Sequence, residues 1–561
     1  MPFVAEDSPA LGPSLLAAGL RREGHATEVL YLHLPLAVEI GLAAYRGIDR
    51  RPDLLLGEWL FARALFGTDA PTGGPYVEEL LQPALARGDL DEDLLARLPE
   101  IRRACEAFVE RSIETIPWEK YDVVGFSSSF QQNTASLALA RSIRARWPRV
   151  KILMGGANCE GEMGEALVET FGFLDHVFSG EGDLSLPSLL ADLAADRPAS
   201  RLVPGETVEN LDALPIPDFA DYFAALAASG LPLDPTQVRI PIETGRGCWW
   251  GEKRHCVFCG LNGTTMAFRR KSPERSLEEF RRVPRSYPTR RVWVADNILD
   301  PRAFGDLLPA LAVADLGLDI FWEVKSNLKR EQMEILARAG VRRVQPGIES
   351  LSTPVLSLMK KGVTALQNIR TLIYAKRHGV ALDWNLLCGF PGEDPAEYER
   401  QAEILPALAH LTPPLGLFPV AVHRFAPLAH RDALRSGPAY RHVYPFPEDR
   451  LVRLAYFFEA APPADLESYT ARLAVEVDRW IASDARLTSH DDGETLRIED
   501  TRPAARCVSA ELRGEARRIY LACEDGAPER TLDSESALAP LLENRWILRI
   551  DGRCLALGIP S

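Results

Sequence analysis

The chain has 561 residues, which is too long for one hydrophobic core and predicts three or four domains. Its 64 Lys and Arg residues against 79 Asp and Glu residues give a formal net charge of −15, which argues against a broad nucleic-acid-binding surface. Nine cysteines without the spacing of a disulfide framework, no signal-peptide pattern and no apolar run of bilayer length predict a cytoplasmic protein with no membrane partner.

Residues 1–215 alternate helical and strand patterns, which predicts an open, Rossmann-like α/β layer. Predicted strands cover residues 26–32, 122–126, 151–154 and 175–179. Because the carboxyl ends of parallel strands meet at one edge of a sheet, the loops after the last three strands are expected to line one ligand crevice. No G-x-G-x-x-G sequence follows the first strand, which favours a large ligand lying across several loops over a dinucleotide.

The residues in these loops are small or polar, and the glycines among them allow a ligand to approach the backbone closely. The helix N-termini that follow can host a phosphate group. Ordinary turns between strand and helix explain the same residues about equally well. The candidate cofactor-binding residues here are Ser127, Ser128, Ser129, Gln131, Gln132, Gly155, Gly156, Asn158, Gly180, Glu181 and Gly182.

Residues 216–430 contain six further segments with strand character, which predicts a partial (β/α)6 barrel. The segments cover residues 238–243, 291–297, 320–327, 344–350, 382–393 and 419–425. Barrels of this type carry their chemistry at the carboxyl ends of the strands, and the conspicuous polar residues of this region lie there.

Three cysteines with the spacing C-x7-C-x2-C, namely Cys248, Cys256 and Cys259, follow the first barrel strand. Two thiols so close in sequence face one centre, and a third from upstream completes three ligands of an iron–sulfur cubane. No further His or Cys follows at the spacing of a tetrahedral zinc site, although a structural zinc loop and buried core cysteines remain alternatives. A four-iron cluster on three thiolates keeps one iron open, as reductive cleavage of S-adenosylmethionine (SAM) requires. Basic residues at 269–271 and 281–282 offer a local basic patch.

The carboxyl-terminal part is predicted to contain a helical extension over residues 431–500 and a small module over residues 501–561. Within the module, helices at 514–523 and 535–543 precede a hairpin at 547–558, a winged-helix-like order. The hairpin edge is a candidate grip for a leader peptide, and a cap on the barrel or a dimer contact is the alternative.

With these motifs, the chain resembles cobalamin-dependent radical SAM enzymes, and among them the C-methyltransferases that mature ribosomally made peptides (RiPPs). The motifs that carry the resemblance are C-W-W-G from Cys248, C-x-x-C-G-L-N-G from Cys256, G-I-E-S from Gly347, G-F-P-G-E from Gly389, L-A-Y-F-F-E from Leu454 and G-E-G-D from Gly180. The D-x-H-x-x-G sequence that commonly ligates cobalamin is absent, so no histidine is expected to bind the lower face of the corrin.

The resemblance implies three cofactors, a [4Fe–4S] cluster, SAM and methylcobalamin, and four domains. These are a cobalamin-binding Rossmann-like domain (1–215), a radical SAM partial barrel (216–430), a helical extension (431–500) and a winged-helix-like module (501–561). It further implies methylation of an unactivated carbon in a precursor peptide, with flavodoxin or ferredoxin as the electron donor and no nucleic acid bound. The alternatives are a radical SAM enzyme that cyclises, oxidises or forms a thioether, and a cofactor-binding regulator.

Within the barrel, the resemblance assigns the cluster to Cys248, Cys256 and Cys259, with Trp249 and Trp250 as a shield against water. Cys388 is the candidate catalytic residue, as a hydrogen donor or a ligand, with a small core residue as the alternative. The candidate SAM-binding residues are Asp296, Asn297, Glu323, Lys325, Glu349, Ser350 and Arg424. A solvated barrel rim is the competing explanation for these charged residues.

Overall fold

The computed structural model describes residues 1–263, 265–430 (His430 by its backbone), 434–460 and 462–561. The predicted domain boundary at residue 431 lies outside these ranges. The described chain folds into parallel α/β layers with a carboxyl-terminal extension, as the sequence predicts. No helix in the described ranges combines the length and apolar character needed to cross a membrane.

The amino-terminal part is built on a four-stranded parallel sheet in the order β1-β2-β3-β4. The strands are β1 (Val123–Ser127), β2 (Lys151–Gly155), β3 (His176–Ser179) and β4 (Leu202–Pro204). Strand order follows chain order, so the described strands contain no point at which the winding reverses. The loops after β1, β2 and β3 therefore form one row along the carboxyl edge of the sheet.

The predicted strand at residues 26–32 is wrong, because this segment is irregular and leads into a helix at His33. Side chains satisfy its backbone in place of a neighbouring strand. The amide of Val29 donates to the Asp221 carboxylate at 2.9 Å, and Arg21 Nε donates to the carbonyl of Thr27 at 2.8 Å. Tyr31 then packs edge-on against Tyr222 in the core.

Residues 33–115 are helical and irregular rather than an alternation of helix and strand, and they pack on the side of the sheet that carries α8 (Asn133–Arg146). Glu58 in α4 holds this arrangement, because its carboxylate accepts the amides of Asn133 and Thr134, both at 2.7 Å. These amides open α8 and have no partner within that helix. The helices are α1 (Leu11–Arg22), α2 (His33–Ile40), α3 (Leu42–Asp49), α4 (Leu56–Phe66), α5 (Gly73–Tyr76), α6 (Gln82–Ala86), α7 (Glu92–Thr115), α8 (Asn133–Arg146), α9 (Glu162–Thr170), α10 (Gly182–Ala194) and α11 (Ala220–Ser229).

The central part forms the predicted partial barrel. Five parallel strands pair in the order β11-β10-β9-β8-β5, a bridge from Glu349 to Leu386 joins them to β12, and β12 pairs with β13. The strands are β5 (Arg239–Ile242), β6 (Gly245–Arg246), β7 (Arg269–Arg270), β8 (Arg291–Val294), β9 (Asp319–Glu323), β10 (Val341–Gln345), β11 (Ala381–Leu382), β12 (Leu386–Cys388) and β13 (Leu417–Pro419). The helices are α12 (Trp249–Lys253), α13 (Pro273–Ser286), α14 (Leu307–Ala314), α15 (Arg330–Arg338), α16 (Thr353–Leu358), α17 (Ala365–His378) and α18 (Ala396–Leu408).

The carboxyl-terminal part departs from the predicted helical extension, because residues 487–500 form two paired strands. Leu496, Ile498 and Asp500 are buried while Arg497 and Glu499 between them are exposed, an alternation with the period of a strand. Within the predicted helical extension, the helix that begins at Glu448 ends at Leu454. The elements are β14 (Val422–His423), α19 (Tyr440–Val443), α20 (Glu448–Leu454), β15 (Phe457–Phe458), α21 (Leu466–Ile481), β16 (Leu487–Asp491), β17 (Thr495–Asp500), β18 (Ser509–Arg513), α22 (Gly514–Ala522), β19 (Ala527–Pro528), α23 (Glu535–Glu543), β20 (Ile547–Ile550), β21 (Arg553–Ala556) and β22 (Ile559–Pro560).

The predicted helix–helix–hairpin order is present in α22, α23 and the β20–β21 pair. The turn of the hairpin docks on the barrel, where the Asp551 carboxylate accepts the Thr353 hydroxyl at 2.8 Å and the Leu366 amide at 2.9 Å. Arg330 pairs with Asp525 at 2.6 Å on the same side. The module is thus attached to the outer helices of the barrel.

Candidate active site

The three cysteines predicted to hold a cluster lie in one loop that follows β6. Cys248 caps α12, its Sγ accepting the Gly251 amide at 3.3 Å, and the Cys259 amide donates to the Cys256 carbonyl at 3.1 Å. All three are free, half-buried thiols whose charges interact. Burial raises the pKa of the Cys256 thiol, and it raises the pKa of Cys259 to about 11. Ligation to a metal centre would supply the stabilisation that these thiolates lack.

The number and type of the donors in this loop, three free cysteine thiols, match the protein ligands of a cubane with one open corner. Among the described residues, no group of three or more His, Cys, Asp or Glu side chains converges tightly enough to hold one metal ion. A cubane takes its thiolates at separate corners, which lie farther apart than the ligands of one tetrahedral zinc. Three thiolates also leave one corner for another ligand. The donor set therefore fits a [4Fe–4S] cluster.

An apolar floor supports the cysteine loop. The Val257 amide donates to the Met359 carbonyl at 3.1 Å, and the Leu428 amide donates to the Val257 carbonyl at 2.9 Å. The floor consists of Val257, Val355, Leu356, Met359, Val363, Phe390, Val420 and Leu428. Because these side chains exclude water on one side of the loop, a cluster there would sit in a low-dielectric environment.

Two tryptophans lie beside the thiols. Trp249 Nε1 donates to the Leu299 carbonyl at 3.0 Å, and Trp250 Nε1 donates to the Lys360 carbonyl at 3.2 Å. Trp250 is also held across its ring, with Lys325 Nζ 3.6 Å from the ring centroid. A Cβ at Gly362 would lie 2.1 Å from Trp250 ring atoms, so this glycine gives the ring its space.

Four charged side chains gather at the barrel mouth near this loop. Lys361 Nζ lies 3.2 Å from Glu349 Oε1, and Lys325 donates to the Lys361 carbonyl. Burial lowers the pKa of Lys325 to about 8, with repulsion from Lys361 adding to the effect. Burial raises the pKa of Glu323 to about 7, opposed by Lys361. The group presents both signs of charge, as recognition of a zwitterionic amino acid requires.

Lys361 was not among the residues predicted from the sequence. It follows α16 in a Lys360–Lys361–Gly362 run, which reads locally as an exposed basic turn. The fold turns it inward, where the attraction of Glu349, Cys256 and Cys259 outweighs the effect of burial and raises its pKa. Its partner Glu349 has a positive φ of 59°, and the backbone of that residue bridges β10 to β12.

Several other predicted barrel residues make internal contacts. The Asp296 carboxylate accepts the amides of Thr244 at 2.7 Å and Gly245 at 3.0 Å, together with the Thr244 hydroxyl. Asp296 thus anchors the start of the cysteine loop, and burial raises its pKa to about 7. Asn297 donates to the Asn262 side chain, and Ser350 Oγ donates to Gln401 at 3.0 Å.

Arg424 and Cys388 are likewise engaged with the protein. Arg424 donates to Glu162 of α9 at 2.7 Å and to the carbonyls of Ala455 and Val452, so it joins the two α/β parts. Cys388 is buried with its Sγ 3.4 Å from the Phe418 carbonyl, and burial raises its pKa to about 12. These are the surroundings of a small core residue, and the catalytic role of Cys388 stays a prediction.

The predicted loops of the amino-terminal sheet are locked to one another. The Ser128 amide donates to the Gly155 carbonyl at 2.8 Å, and Asn158 donates to the Ser128 carbonyl at 3.1 Å and to its Oγ at 3.0 Å. Gly156 has φ +99°, and a Cβ there would lie 2.5 Å from the Ser128 carbonyl oxygen. The glycine is therefore required by the approach of the two backbones.

The remaining loop residues fix the row to its surroundings. Ser129 contacts Gln132 at 3.1 Å, while Gln131 and Gln132 bind the carbonyls of Ile48 and Met1. Glu181, which lies between Gly180 and Gly182 in the chain, forms ion pairs with Arg246 and Arg269 of the cysteine region. Ser127 ends β1. The structure thus brings the loop row against the barrel mouth.

An aromatic group that the sequence did not reveal stands between the loop row and the cysteine loop. Phe130, at φ +45° and 49% exposed, meets the edge of Tyr456, whose hydroxyl donates to the Gly260 carbonyl at 3.2 Å. His423 stacks on Tyr456 with ring centroids 5.2 Å apart. The residues come from three distant segments, so their proximity follows only from the tertiary fold.

Comparison with known proteins agrees with this geometry. The profile of the Radical SAM superfamily matches residues 242–404. The hopanoid C-3 methylase of Methylococcus capsulatus is 26% identical over 327 residues, which cover 55% of this chain and 60% of that relative. The bacteriochlorophyllide d C-12(1)-methyltransferase of Chlorobaculum tepidum is 26% identical over 309 residues, which cover 52% of this chain and 62% of that relative. An uncharacterized methyltransferase of Pyrococcus horikoshii is 24% identical over 300 residues, which cover 50% of this chain and 62% of that relative. The alignments thus span about three-fifths of the length of these relatives.

A solved structure shares the fold. The cobalamin-dependent SAM radical enzyme OxsB with aqua-cobalamin bound superposes with a TM-score of 0.51 at 15% identity, covering 68% of this chain and 61% of that one. At this level of identity the likeness concerns the arrangement of the chain. It extends beyond residues 242–404 and therefore includes part of the chain outside the barrel.

Proposed function

We propose that this chain, whose residues 242–404 form a radical SAM domain, is a cobalamin-dependent C-methyltransferase that acts on an unactivated carbon of a residue in a ribosomally made precursor peptide. The observation that carries the proposal is that the three-thiol loop lies next to both the charged group at the barrel mouth and the loop row. When bound, a [4Fe–4S] cluster supplies the electron that cleaves SAM, and methylcobalamin supplies the methyl group. The chain supplies position and exclusion of water.

Different barrel residues would bind the cluster and the separate groups of SAM. Cys248, Cys256 and Cys259 would hold the cluster. The pair of Lys361 and Glu349 would orient the carboxylate and ammonium groups of SAM through charge-assisted hydrogen bonds. Glu323, whose pKa of about 7 leaves it partly protonated at neutral pH, is suited to hydrogen bonds with ribose hydroxyls.

The loop row would hold cobalamin. Support comes from the fold shared with OxsB and from the close packing of the loops after β1 and β2. No histidine occurs in residues 127–133, 155–161 or 179–183, and His176 in β3 is buried with Nδ1 2.7 Å from the Ser200 carbonyl. We expect Phe130, at the exposed tip of the first loop, to pack on the corrin without ligating the cobalt.

An exposed strand edge at the barrel mouth supports a peptide as the substrate. The Leu386 amide donates to the Gly416 carbonyl at 2.9 Å and the Val420 amide donates to the Cys388 carbonyl at 2.8 Å. Backbone groups alternate along a strand, so the N–H and C=O of Leu417 point away from β12. Among the described strands none pairs with this edge.

The side chains along the same edge are apolar and exposed. Leu415 is 65% and Phe418 44% exposed. An extended peptide could add to this edge by backbone pairing, which binds many sequences, while apolar side chains contact Leu415 and Phe418. The names of two relatives instead specify a hopanoid and a bacteriochlorophyllide, which favours a hydrophobic non-peptide substrate as a second candidate.

Two variants at Leu417 test the peptide proposal. Leu417→Pro removes the outward N–H without altering the bonds to β12, whereas Leu417→Ala keeps the N–H and removes the side chain. One lost hydrogen bond, about 0.5–1.5 kcal/mol, should raise the peptide KM roughly twofold to tenfold in the proline variant alone. SAM cleavage without peptide should be unchanged in both. Equal KM values for the two variants would show that the edge does not pair with the substrate.

The outcome of the reaction needs its own measurement. Anaerobically reconstituted protein supplied with SAM, cobalamin and a candidate peptide should yield a product heavier by one methyl group in place of one hydrogen. A mass loss of two hydrogens would support the cyclising or oxidising alternative. DNA binding that persists without SAM would support the regulator.

The carboxyl-terminal module is proposed to grip a leader peptide. Its β20 is an edge strand in the order β19-β21-β20. The ion pairs and hydrogen bonds that dock the module on α15, α16 and α17 would hold such a leader at a fixed distance from the barrel mouth, raising the local concentration of the core peptide. Arg502 forms a buried ion pair with Asp500 at 2.7 Å. Removal of residues from 504 onward would expose this charged pair. Substitutions on the β20 edge are therefore better tests than truncation.

A further inference from the structure

A small group of positive charges lies on the outer side of the cysteine loop, in a chain whose formal net charge is −15. Lys253 ends α12, Arg254 follows it, and Lys360 follows α16; all three are exposed. In the part of the chain that the structure describes, none of them forms an ion pair. The neighbouring Glu252 carboxylate accepts the Phe268 amide at 2.7 Å. We call Lys253, Arg254 and Lys360 the basic face.

The basic run that stands out in the sequence cannot play the same part. Arg269 pairs with Glu181, Arg270 pairs with Asp300 at 3.0 Å, and Lys271 is buried against Glu279 at 2.8 Å. Those charges are neutralised inside the protein. The basic face is therefore a positive surface that remains available next to the thiols among the described residues.

The basic face is connected to the thiols by a few contacts. The Arg254 amide donates to the Trp250 carbonyl at 2.7 Å, and Trp250 Nε1 donates to the Lys360 carbonyl at 3.2 Å. Lys253 Nζ lies 5.6 Å from the Trp249 ring centroid. Cys248 caps the helix that carries both tryptophans. A partner seated on the basic face would therefore lie beside the tryptophan pair, on the helix that Cys248 caps.

We propose that the basic face is the docking site of an acidic protein that delivers electrons one at a time. The inference rests on the proposed function, because one electron is consumed for each SAM cleaved to methionine and a 5′-deoxyadenosyl radical, and the partner is oxidised by the same one electron. The overall negative charge of the chain would repel an acidic partner elsewhere and guide it to this face. A reduced flavodoxin or ferredoxin has the required chemistry.

The test compares two double variants with the same change in net charge. Lys253→Glu with Arg254→Glu reverses the basic face. Arg103→Glu with Arg149→Glu reverses two exposed arginines that have no ion pair in the described structure and lie in the amino-terminal part. Each variant is assayed for SAM cleavage with a reduced acidic flavodoxin and, separately, with dithionite, which needs no docking site.

With flavodoxin at low ionic strength, the basic-face variant should cleave SAM about tenfold more slowly than the control variant. The difference should shrink in 1 M salt, where the Debye length is about 3 Å. With dithionite the two should be equal. Titration of each variant with oxidised flavodoxin gives an independent readout, with a Kd about tenfold higher for the basic-face variant.

An equal loss with dithionite would overturn the proposal, since the substitutions would then act on the cysteine loop itself. Equal binding of flavodoxin by both variants would overturn it as well, and so would tighter binding of a single-stranded oligonucleotide than of flavodoxin at this face. If wild-type protein fails to cleave SAM with dithionite, the proposed function fails. The flavodoxin titration still decides whether the basic face docks an acidic protein.

Discussion

Replacing Gly362 by alanine is expected to release Trp250 from its position beside the cysteine loop. Gly362 has φ +65°, and an added Cβ would lie 2.1 Å from two atoms of the Trp250 ring. Such an overlap cannot be absorbed by small adjustments, so the ring must move. Movement breaks the hydrogen bond from Trp250 Nε1 to the Lys360 carbonyl and separates the ring from Lys325.

The free-energy cost of Gly362→Ala is the sum of a backbone cost and the two lost Trp250 contacts. The positive φ costs an alanine roughly 1–2 kcal/mol. The lost hydrogen bond adds about 0.5–1.5 kcal/mol, and the lost cation–π contact adds about 0.5–2 kcal/mol. The cysteine loop should therefore be destabilised by about 2–5.5 kcal/mol. Gly379→Ala is a matched control, because Gly379 has φ +66° and no atom within 4 Å of an added Cβ. It should cost only the backbone term.

Amide exchange of the peptide covering residues 249–263, read by mass spectrometry, measures local opening directly. An extra cost of about 1–3.5 kcal/mol in Gly362→Ala over Gly379→Ala corresponds to exchange faster by roughly 5-fold to 370-fold. Reconstituted Gly362→Ala should also lose iron faster on exposure to air, since water reaches the thiols. Equal exchange in the two variants would refute the view that Trp250 is held by Gly362 and Lys325.

Three further predictions concern the cofactors and pH. Cys256→Ala or Cys259→Ala removes one of three thiolates, so the roughly four irons bound per chain and the formation of 5′-deoxyadenosine should both be lost, as iron analysis and chromatography will show. Wild-type protein should retain about one equivalent of hydroxocobalamin through gel filtration with a base-off spectrum, and a histidine-ligated spectrum would contradict this. Burial raises the pKa of Glu58 from 4.5 to about 7. The stability of wild type relative to Glu58→Gln should be greatest below pH 4.5 and be lost as pH rises through 7, measured by denaturant unfolding at several pH values; a constant difference would contradict it.

The barrel could be predicted because its signals are local. Most of its strands are short apolar runs that end in polar or small residues, with helical patterns between them. The spacing of Cys248, Cys256 and Cys259 identified the loop without any knowledge of its surroundings. The paired strands at 487–500 carried an equally local signal, the alternation of apolar Leu496 and Ile498 with charged Arg497 and Glu499, which the helical interpretation of that region overrode.

Other features depend on partners that are remote in the chain. Residues 26–32 have the composition of a strand, yet Arg21 and Asp221 satisfy their backbone. Lys361 lies in a basic turn and becomes a buried partner of Glu349 only when α16 packs under the cysteine loop. Tertiary contacts of this kind outweigh local propensity, and they cannot be predicted from the sequence pattern of a single element.

Asp296 and Glu323 show the same limit within the site itself. Each is a carboxylate at the carboxyl end of a barrel strand, and burial gives each a pKa of about 7. The Asp296 carboxylate accepts hydrogen bonds from the amides of Thr244 and Gly245, so substitution of Asp296 should disturb the path of the cysteine loop. Glu323 makes no such side-chain bonds among the described residues and shares its space with Lys361, so its substitution should act on bound SAM. The position of a residue in the barrel thus predicts that it faces the mouth, while the partner it meets there determines whether it builds the site or binds within it.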